Sequence, residues 1–210
     1  MGERKAALSA ESTGNGLVQG PDGLLRPTWA NRDELVRDYY DLEWGKPLTD
    51  ERDIFESLSL EVFQAGLSWL TILRKRPGLR AAFANFDPDR VAAFSEEGIA
   101  RLLGDSSIVR NRRKIVATIT NAQATVRLRE KMGLPGLVWS FEPSGPPWPG
   151  NATRLPTRSP ESIALAGALR AEGFTMVGPT SVYALMCAIG IIRKPMMQSH
   201  REVGVGGPKE

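Results

Sequence analysis

Residues 39–69 bring together two tryptophans, a tyrosine, a carboxylate and an amide that could hold a planar ring. Two motifs contribute them, YYDLEWG at 39–45 and EVFQAGLSW at 61–69. Aromatic faces stack on planar rings and attract cations, and a carboxylate accepts hydrogen bonds from a positively charged ring. The combination is suited to an alkylated nucleobase that has been extruded from a duplex.

Glu61 is the carboxylate of this group, and on a helix its neighbours are small or apolar. It would share a face with Ser57, Leu58, Gln64 and Ala65. A carboxylate in such surroundings is costly unless a cation or a hydrogen-bond donor meets it. Spacing alone leaves two interpretations open: a surface or arginine-paired glutamate, and a carboxylate that binds a cationic ligand.

The aromatic candidates for the same site are Tyr39, Trp29, Trp44 and Trp69. A single aromatic residue usually marks a hydrophobic core. Trp44 directly precedes a glycine, however, and a second glycine lies three residues before Trp69, and glycine lets another group approach the backbone closely. The grouping around Glu61 therefore favours a binding site over a core.

A second candidate surface is the basic stretch DSSIVRNRRK at 105–114, a tight turn between two predicted helices. Its cations are Arg110, Arg112, Arg113 and Lys114. Cations at a helix N-terminus oppose its partial positive charge, and an anion bound to the free backbone amides would relieve that conflict. A DNA phosphate fits this description, and a solvated basic face is the alternative. Residues 74–76 (RKR) carry the same ambiguity.

Composition excludes several classes of protein. The 210 residues carry 27 Lys and Arg against 24 Asp and Glu, and no apolar run is long enough to span a membrane. A single cysteine, Cys187, and a missing signal-peptide core predict a cytoplasmic protein. With His200 as the only histidine, neither a Ser/His/Asp arrangement nor a Cys/His metal site is credible, and no glycine-rich phosphate loop is present. We therefore expect no metal and no cofactor.

Helical periodicity dominates the chain and predicts an all-α fold of about eight helices, in a compact bundle of two helical subdomains. Predicted starts are Thr49, Asp87-Pro88, Ser95 and Ser159-Pro160, and Pro77 is expected to end one helix or begin another. Residues 1–25 and 201–210 are polar or glycine-rich and predict flexible tails around one domain at 26–200. The proline-rich residues 142–159 predict a long surface connection.

These motifs resemble the bacterial 3-methyladenine DNA glycosylase I family. The resemblance runs in order from Trp29 to Gly190 and includes QAGLSW at 64–69, FDP at 86–88, IVR at 108–110, VWSF at 138–141 and GF at 173–174. It implies a helix-hairpin-helix fold. No lysine nucleophile is evident, so we expect a monofunctional enzyme without lyase activity, and we expect it to act as a monomer. Such an enzyme flips 3-methyladenine out of alkylated double-stranded DNA and hydrolyses it away in base excision repair.

The resemblance also implies roles for individual residues. Glu61 is then the carboxylate that recognises the base, with Tyr39 as a polar contact and Trp69 as the stacked ring. The other expected base-binding residues are Trp29, Trp44 and Gln64. Leu67, next to Gly66, is expected to fill the gap left by the flipped nucleotide. The expected DNA-binding hairpin contributes Ser106, Ser107, Ile108, Arg110, Arg112, Arg113 and Lys114.

Two departures from the family pattern stand out. Family members usually join their termini through a zinc ion held by two cysteines and two histidines, and the matching positions here are Pro27, Tyr40, Pro195 and Ser199. Loss of all four predicts a metal-free variant stabilised by packing, with the Tyr40 ring filling the space. Ser107 replaces a usual hairpin glycine, which would change the turn if that position needs a positive φ.

Two alternatives of different kinds remain open at this point. One is a non-catalytic lesion binder that has kept the pocket but lost turnover. The other is a glycosylase retuned to a different alkylated purine. The set of Tyr39, Glu61 and Trp69 favours an active enzyme, and it does not by itself separate 3-methyladenine from a related adduct.

Overall fold

The computed structural model describes residues 12–13, 16–144 and 156–192. The α-helices in these ranges are α1 (Glu34–Leu42), α2 (Glu51–Gln64), α3 (Trp69–Ala82), α4 (Pro88–Ala92), α5 (Glu96–Gly104), α6 (Arg112–Leu128), α7 (Gly133–Trp139), α8 (Pro160–Ala171) and α9 (Pro179–Ala188). Short 3-10 turns occupy Thr28–Asn31 and Ala84–Phe86. The prediction of an all-helical domain is confirmed, with nine α-helices in the described ranges.

Helix α2 lies at the centre of the bundle. It contacts α3, α6, α7 and α9, while α4 packs on α6 and α8 packs on α9. Side chains on several faces of α2 are buried, among them Ile54, Phe55, Leu58 and Phe63. A helix that is apolar on more than one face belongs inside a bundle. Glu61 therefore lies on the most enclosed helix of the protein.

Capping side chains set most of the helix starts. Asp87 and Ser159 cap α4 and α8, each followed by proline at the first helical position, as predicted. Helix α2 is capped by Asp50, which accepts hydrogen bonds from two backbone amides of the first turn, and the predicted cap at Thr49 is wrong by one residue. A carboxylate accepts these bonds with its full charge and complements the helix dipole, so it is the stronger cap.

Pro77 neither ends nor begins a helix, contrary to the prediction. Helix α3 continues through it to Ala82. A proline inside a helix removes one backbone hydrogen bond and normally kinks or breaks the helix. Packing holds this one, because the α3 side chains Ile72, Leu73 and Leu79 are buried in the core on both sides of the proline.

A small antiparallel sheet precedes the helices and was not predicted. It consists of β1 (Ser12–Thr13), β2 (Leu17–Gln19) and β3 (Leu25–Pro27), in the order β1-β2-β3. For residues 17–25 the predicted flexible tail is therefore wrong, since Leu17 is only 1% exposed. Residues 1–11 and 201–210 of the predicted tails lie outside the described ranges, as does the centre of the predicted connection at 142–159.

An ion pair fastens this sheet to the first helix. The Arg26 guanidinium is buried and lies 2.6 Å from Asp41 and 2.7 Å from Asp22. Arg26 precedes Pro27 and Asp41 follows Tyr40 in the chain. The ion pair therefore joins the two segments in which family members carry their first two zinc ligands. A planar guanidinium can hold two carboxylates at once, which makes it effective for a buried link of this kind.

Tyr40 occupies the space beside this ion pair. Its ring is 1% exposed, stacks on Trp44 at a centroid distance of 5.6 Å and meets the edge of Trp29 at 5.6 Å. In the described ranges no cluster of His, Cys, Asp and Glu is arranged to hold a metal. Pro27 and Tyr40 offer no donor set for zinc, so they do not fit that group, and Pro195 and Ser199 lie outside the described ranges.

Replacing Tyr40 by leucine is expected to lower the free energy of unfolding by about 2 kcal/mol. The change removes an aromatic ring that packs between two tryptophans and leaves a partly filled space. Urea unfolding followed by circular dichroism measures the loss. Leu42→Ala is the matched control, since Leu42 is 64% exposed on the same helix. Equal stability of the two variants would contradict a packing role for Tyr40.

The helices of the described ranges include none that is both long and apolar enough to cross a membrane.

Candidate active site

A cavity of about 230 Å³ opens beside α2. Helix α1 and the loop after it form one side, α2 forms the floor, and α3 forms the opposite side. Its lining residues are Tyr39, Leu42, Glu43, Lys46, Leu48, Asp53, Glu56, Ser57, Leu60, Glu61, Trp69, Arg76, Arg80 and Ala188. The structure therefore brings Tyr39, Glu61 and Trp69 together from three different helices, as the sequence predicted.

Local structure explains how each of the three is presented. Tyr39 lies near the end of α1, where its carbonyl accepts hydrogen bonds from the Glu43 and Trp44 amides. Glu61 lies in the last turn of α2. Trp69 is the first residue of α3, directly after Ser68, whose hydroxyl caps that helix. The Tyr39 and Trp69 rings are 5.1 Å apart at 54°, so they form an aromatic corner above Glu61.

Polar groups of all three residues are unpaired. Among the described residues, none forms a hydrogen bond or ion pair with the Glu61 carboxylate or the Tyr39 hydroxyl, and the buried Trp69 Nε1 has no partner. Buried polar atoms are nearly always hydrogen-bonded, so the buried Trp69 Nε1 without a partner needs an explanation. A ligand that brings both donors and acceptors would satisfy all three groups.

Burial sets the protonation of this site. Glu61 is 6% exposed, and desolvation raises its pKa from 4.5 to about 8. Desolvation, followed by the neighbouring Glu61 charge, raises the pKa of Tyr39 far above the ordinary tyrosine range. Both groups are thus predominantly neutral at pH 7 in the empty cavity. A bound cation would favour the ionised carboxylate and lower its pKa.

An ion-pair network closes the rim of the cavity. Arg76 on α3 lies 2.6 Å from Glu43 and 2.6 Å from Glu56, and Arg80 lies 2.8 Å from Glu56. These arginines and carboxylates neutralise one another. Glu61 is consequently the buried carboxyl group of the cavity with no cation beside it, and it is available to ionise against a cationic ligand.

Three predicted base-binding residues do not line the cavity. Trp29 and Trp44 pack on Tyr40, away from Tyr39, because neighbouring residues of a helix point about 100° apart. Gln64 donates from Nε2 to the Leu67 carbonyl at 3.2 Å, so its side chain stabilises the turn after α2. The two tryptophans and Gln64 support the neighbouring structure here and do not contact the cavity.

Two exposed segments border helix α3. One is the turn between α2 and α3, where Gly66 adopts φ +80° and Leu67 is 37% exposed. The other is the turn at 105–111 between α5 and α6. Lys75 of α3 donates to the Ser106 carbonyl at 2.6 Å, and a Cβ on Gly78 would lie 2.7 Å from Ser107. This close approach holds the second turn against α3.

The α5–α6 turn presents most of the predicted DNA-binding side chains. Ser106, Ser107, Arg110, Arg112 and Arg113 are exposed. Arg112 also pairs with Glu96 at 2.9 Å, across the surface of the helical hairpin. Ser107 does not adopt a positive φ, so a serine in place of the usual glycine does not strain the turn.

Two residues of the predicted DNA-binding set have buried side chains, which the sequence did not predict. Ile108 is 2% exposed and belongs to the hydrophobic core. Lys114 is 6% exposed, and its ammonium donates to the carbonyls of Phe63 and Ala65 at 2.6 Å each. An inward amine with two carbonyl partners is not available to a phosphate.

Sequence reasoning missed the rim of the cavity. Glu43, Glu56 and Arg80 were not predicted as site residues, and Arg76 was only part of an ambiguous basic cluster. The available signal was the spacing of Arg76 and Arg80, four residues apart on one helix face. That spacing predicts a shared partner without showing that the partner is a carboxylate on α2.

The fold and the site together define a class. A helical bundle with an exposed basic hairpin, an exposed apolar residue on the adjacent turn and an aromatic cavity with an unpaired carboxylate is the arrangement of a helix-hairpin-helix DNA glycosylase. A family model described as methyladenine glycosylase matches residues 29–202. The chain belongs to the methyladenine glycosylase family.

Individual relatives agree with that assignment. DNA-3-methyladenine glycosylase 1 of Escherichia coli (strain K12) is 44% identical over 173 residues, which cover 80% of this chain and 92% of the relative. A crystal structure of 3-methyladenine DNA glycosylase I aligns with a TM-score of 0.74 at 44% identity, covering 78% and 92% of the two chains. The Staphylococcus aureus 3-methyladenine DNA glycosylase I, in a structure on 3-methyladenine recognition, aligns at 0.73 and 30% identity, covering 85% and 94%.

Proposed function

We propose that this protein is a DNA-3-methyladenine glycosylase that flips the damaged nucleotide out of duplex DNA and hydrolyses its N-glycosyl bond. The observation that carries the proposal is the buried, unpaired Glu61 carboxylate in one cavity with Tyr39 and Trp69. Comparison with named relatives supports the same activity. The step belongs to base excision repair of alkylated DNA.

Charge explains why this cavity suits a methylated adenine. Methylation at N3 makes the base in DNA cationic, and a cation is the ligand that a buried carboxylate without a partner favours. The aromatic corner of Tyr39 and Trp69 offers stacking and cation–π contacts to the same ring. An unmodified neutral adenine would gain the stacking without the ionic contact, so the cavity discriminates by charge.

The chemistry needs little force from the protein because the cationic base is already a good leaving group. The bond between the sugar C1′ and the base nitrogen breaks, its electron pair stays on the base, and the base leaves neutral. The sugar carries the positive charge, and water adds to C1′ and releases a proton. Tyr39, Glu61 and Trp69 hold and orient the base during this step.

We also propose that the enzyme is monofunctional, without strand cleavage. Lys46 is the lysine on the cavity lining, and it lies at the exposed edge. Borohydride trapping on alkylated duplex tests this point directly, because a lysine that forms a Schiff base with the sugar becomes covalently attached to DNA. Trapped protein that disappears in Lys46→Met would contradict a purely hydrolytic mechanism.

The test of the main proposal is release of free bases from methylated duplex DNA, separated by chromatography. Wild type is expected to release 3-methyladenine, and a chelator in one arm is expected to leave the rate unchanged because Pro27 and Tyr40 do not fit zinc. Folded protein that binds DNA and releases no 3-methyladenine would contradict the proposal. Release of another adduct would then identify a retuned glycosylase, and no release of any base would identify a lesion binder.

Trp69→Ala is expected to lower the single-turnover excision rate by about 5- to 150-fold, the range that stacking of about 1–3 kcal/mol per base gives. The variant removes the ring that forms the aromatic corner with Tyr39. Trp69→Phe is the matched control, since it keeps a stacking face and should recover most of the rate. Equal losses in both variants would show that the stacked ring is not the important feature.

The remaining features of the proposal follow from the substrate. The partner is double-stranded DNA that contains alkylated bases, and the exposed Arg110, Arg112 and Arg113 are available for its phosphates. We propose that a monomer acts on one lesion, since a single cavity and a single hairpin suffice. We propose that the protein acts in the cytoplasm, where its proposed substrate, alkylated chromosomal DNA, is present.

A further inference from the structure

Lys114 is a buried lysine whose ammonium joins two distant parts of the chain. It lies in the first turn of α6, directly after the α5–α6 turn, and is 6% exposed. Its Nζ donates to the carbonyl oxygens of Phe63 and Ala65, 2.6 Å from each. An ammonium is rarely buried, and burial also lowers the pKa of this amine.

Both acceptors belong to the C-terminal end of α2. The last carbonyls of a helix have no partner within the helix and carry its partial negative charge, so a cation there satisfies them in both respects. Ala65 ends α2 with ψ 112°, which directs the chain out of the helix. Lys114 therefore fixes the place where the chain leaves α2, two residues before Leu67.

Among the described residues, the other hydrogen bonds of the α2–α3 turn join residues of the turn itself. The Leu67 amide donates to the Gln64 carbonyl at 2.7 Å, and Gln64 Nε2 returns a bond to the Leu67 carbonyl. Gly66 adopts φ +80° with nothing close to the place of a Cβ. These short-range bonds shape the turn, but they do not set its position relative to the rest of the protein.

The other end of the Lys114 contact is equally well fixed. Asn111 caps α6 and accepts from the Lys114 backbone amide at 3.2 Å, so the turn and the first turn of α6 form one unit. The Lys75 bond to the Ser106 carbonyl holds that unit to α3. Lys114 adds the missing link between the hairpin unit and the end of α2.

We propose that Lys114 is a positioning residue that sets the Leu67 turn in register with the α5–α6 hairpin. The inference rests on the proposed function, in which the hairpin binds the DNA backbone while Leu67 enters the gap left by the flipped base. When the Lys114 contact is present, three parts of the protein keep fixed relative positions. They are the hairpin that binds the DNA backbone, the turn that carries Leu67 and the cavity of Glu61. Without it, the turn is free to shift relative to the bound backbone.

The test uses Lys114→Met, which keeps the length of the side chain and removes its three donors. Lys114→Arg keeps a cation and donors as the conservative variant. Lys131→Met is the matched control, because Lys131 is a surface lysine that pairs with Glu172 and is 62% exposed. Each variant is compared with wild type in single-turnover excision, duplex affinity over a salt series, binding of free 3-methyladenine and hydrogen exchange of residues 64–68.

Lys114→Met is expected to excise 3-methyladenine from duplex about 10- to 100-fold more slowly, the loss that a displacement of about 1 Å can cause. Binding of free 3-methyladenine should stay at the wild-type level, since Tyr39, Glu61 and Trp69 are untouched. Amide exchange at 64–68 should rise, and Lys114→Arg should recover part of the rate. Lys131→Met should match wild type in all four measurements.

Other results would overturn the inference. Duplex affinity falls as salt concentration rises, and the slope of the logarithmic plot counts phosphate contacts. If Lys114→Met lowered this slope by about one unit, Lys114 would contact a phosphate instead. A parallel loss of free-base binding would show a general structural defect, and unchanged excision or unchanged exchange at 64–68 would show that the turn does not depend on Lys114. The exchange measurement needs no turnover, so it tests the inference even if wild type releases no 3-methyladenine.

Discussion

Glu61→Gln is expected to lower the single-turnover rate of 3-methyladenine excision by about 100- to 1000-fold, the range seen when one preorganised electrostatic contact is removed from an active site. Glutamine keeps the size and an acceptor oxygen but cannot ionise when the cationic base enters. Affinity for undamaged duplex should stay at the wild-type level, because Glu61 is buried in the cavity and away from the exposed hairpin. Quench-flow excision and fluorescence anisotropy measure the two quantities.

Glu43→Gln is the matched control for charge. Glu43 lines the same cavity, but its side chain is 48% exposed and is paired with Arg76. When the cationic base is bound and Glu61 is ionised, removing the Glu43 charge alters the total charge of the cavity by the same amount and leaves the carboxyl group of the floor in place. If Glu43→Gln lowered the excision rate as much as Glu61→Gln, the overall electrostatic potential of the cavity would matter and the position of Glu61 would not. An equal fall in excision and duplex binding by Glu61→Gln would also contradict its role in reading the base.

The sequence predicted the parts of this protein that depend on local rules. Asp87-Pro88 and Ser159-Pro160 mark helix starts correctly because a capping side chain and a first-position proline act within one turn of the helix. The β2–β3 hairpin was missed because strands of three residues show no alternation long enough to recognise. Its stability comes instead from long-range contacts, such as the ion pair of Arg26 and Asp41.

The candidate active site was only partly predictable, because local rules do not decide which way a side chain faces. The resemblance assigned Tyr39, Glu61 and Trp69 to the base, but the spacing of two adjacent tyrosines does not by itself show which one faces the cavity. The structure turns Tyr39 to the cavity and Tyr40 to Trp29 and Trp44. Which face of α1 meets α2 and α3 is decided by the packing of the whole bundle, and that packing is not readable from residues 39 and 40.

Lys114 shows how a basic cluster can mislead. The sequence analysis placed Lys114 among the DNA-binding cations, and the apolar spacing of Ile115, Ile119 and Ala122 on α6 does not include it. In the structure the neighbouring stripe of Lys114, Thr118 and Asn121 is buried too, because α6 packs against both α2 and α4. A helix between two neighbours has two buried faces, so a cation on it can serve an internal carbonyl pair.

Because Glu61 is buried, we also expect the free energy of unfolding to fall as pH rises and this carboxyl group ionises. The folded-state pKa of about 8 lies above the ordinary glutamate value of 4.5, so the folded protein holds this proton more tightly than the unfolded chain does. The stabilisation from that proton is complete below pH 4.5 and is lost as pH rises through 8. At about 1.36 kcal/mol per pKa unit, the loss amounts to roughly 5 kcal/mol.

Glu61→Gln should therefore match wild type in free energy of unfolding near pH 4 and exceed it increasingly up to pH 9, by roughly 5 kcal/mol at most. Urea unfolding of both proteins at a series of pH values measures the difference, and all other titrating groups cancel because they are shared. Parallel stability curves would contradict the raised pKa of Glu61. A widening gap, together with the loss of excision, would show that the residue that reads the cationic base is kept at the expense of stability. An isolated buried carboxylate is unfavourable until a cation reaches it, and that same property lets the cavity distinguish a methylated adenine from a neutral one.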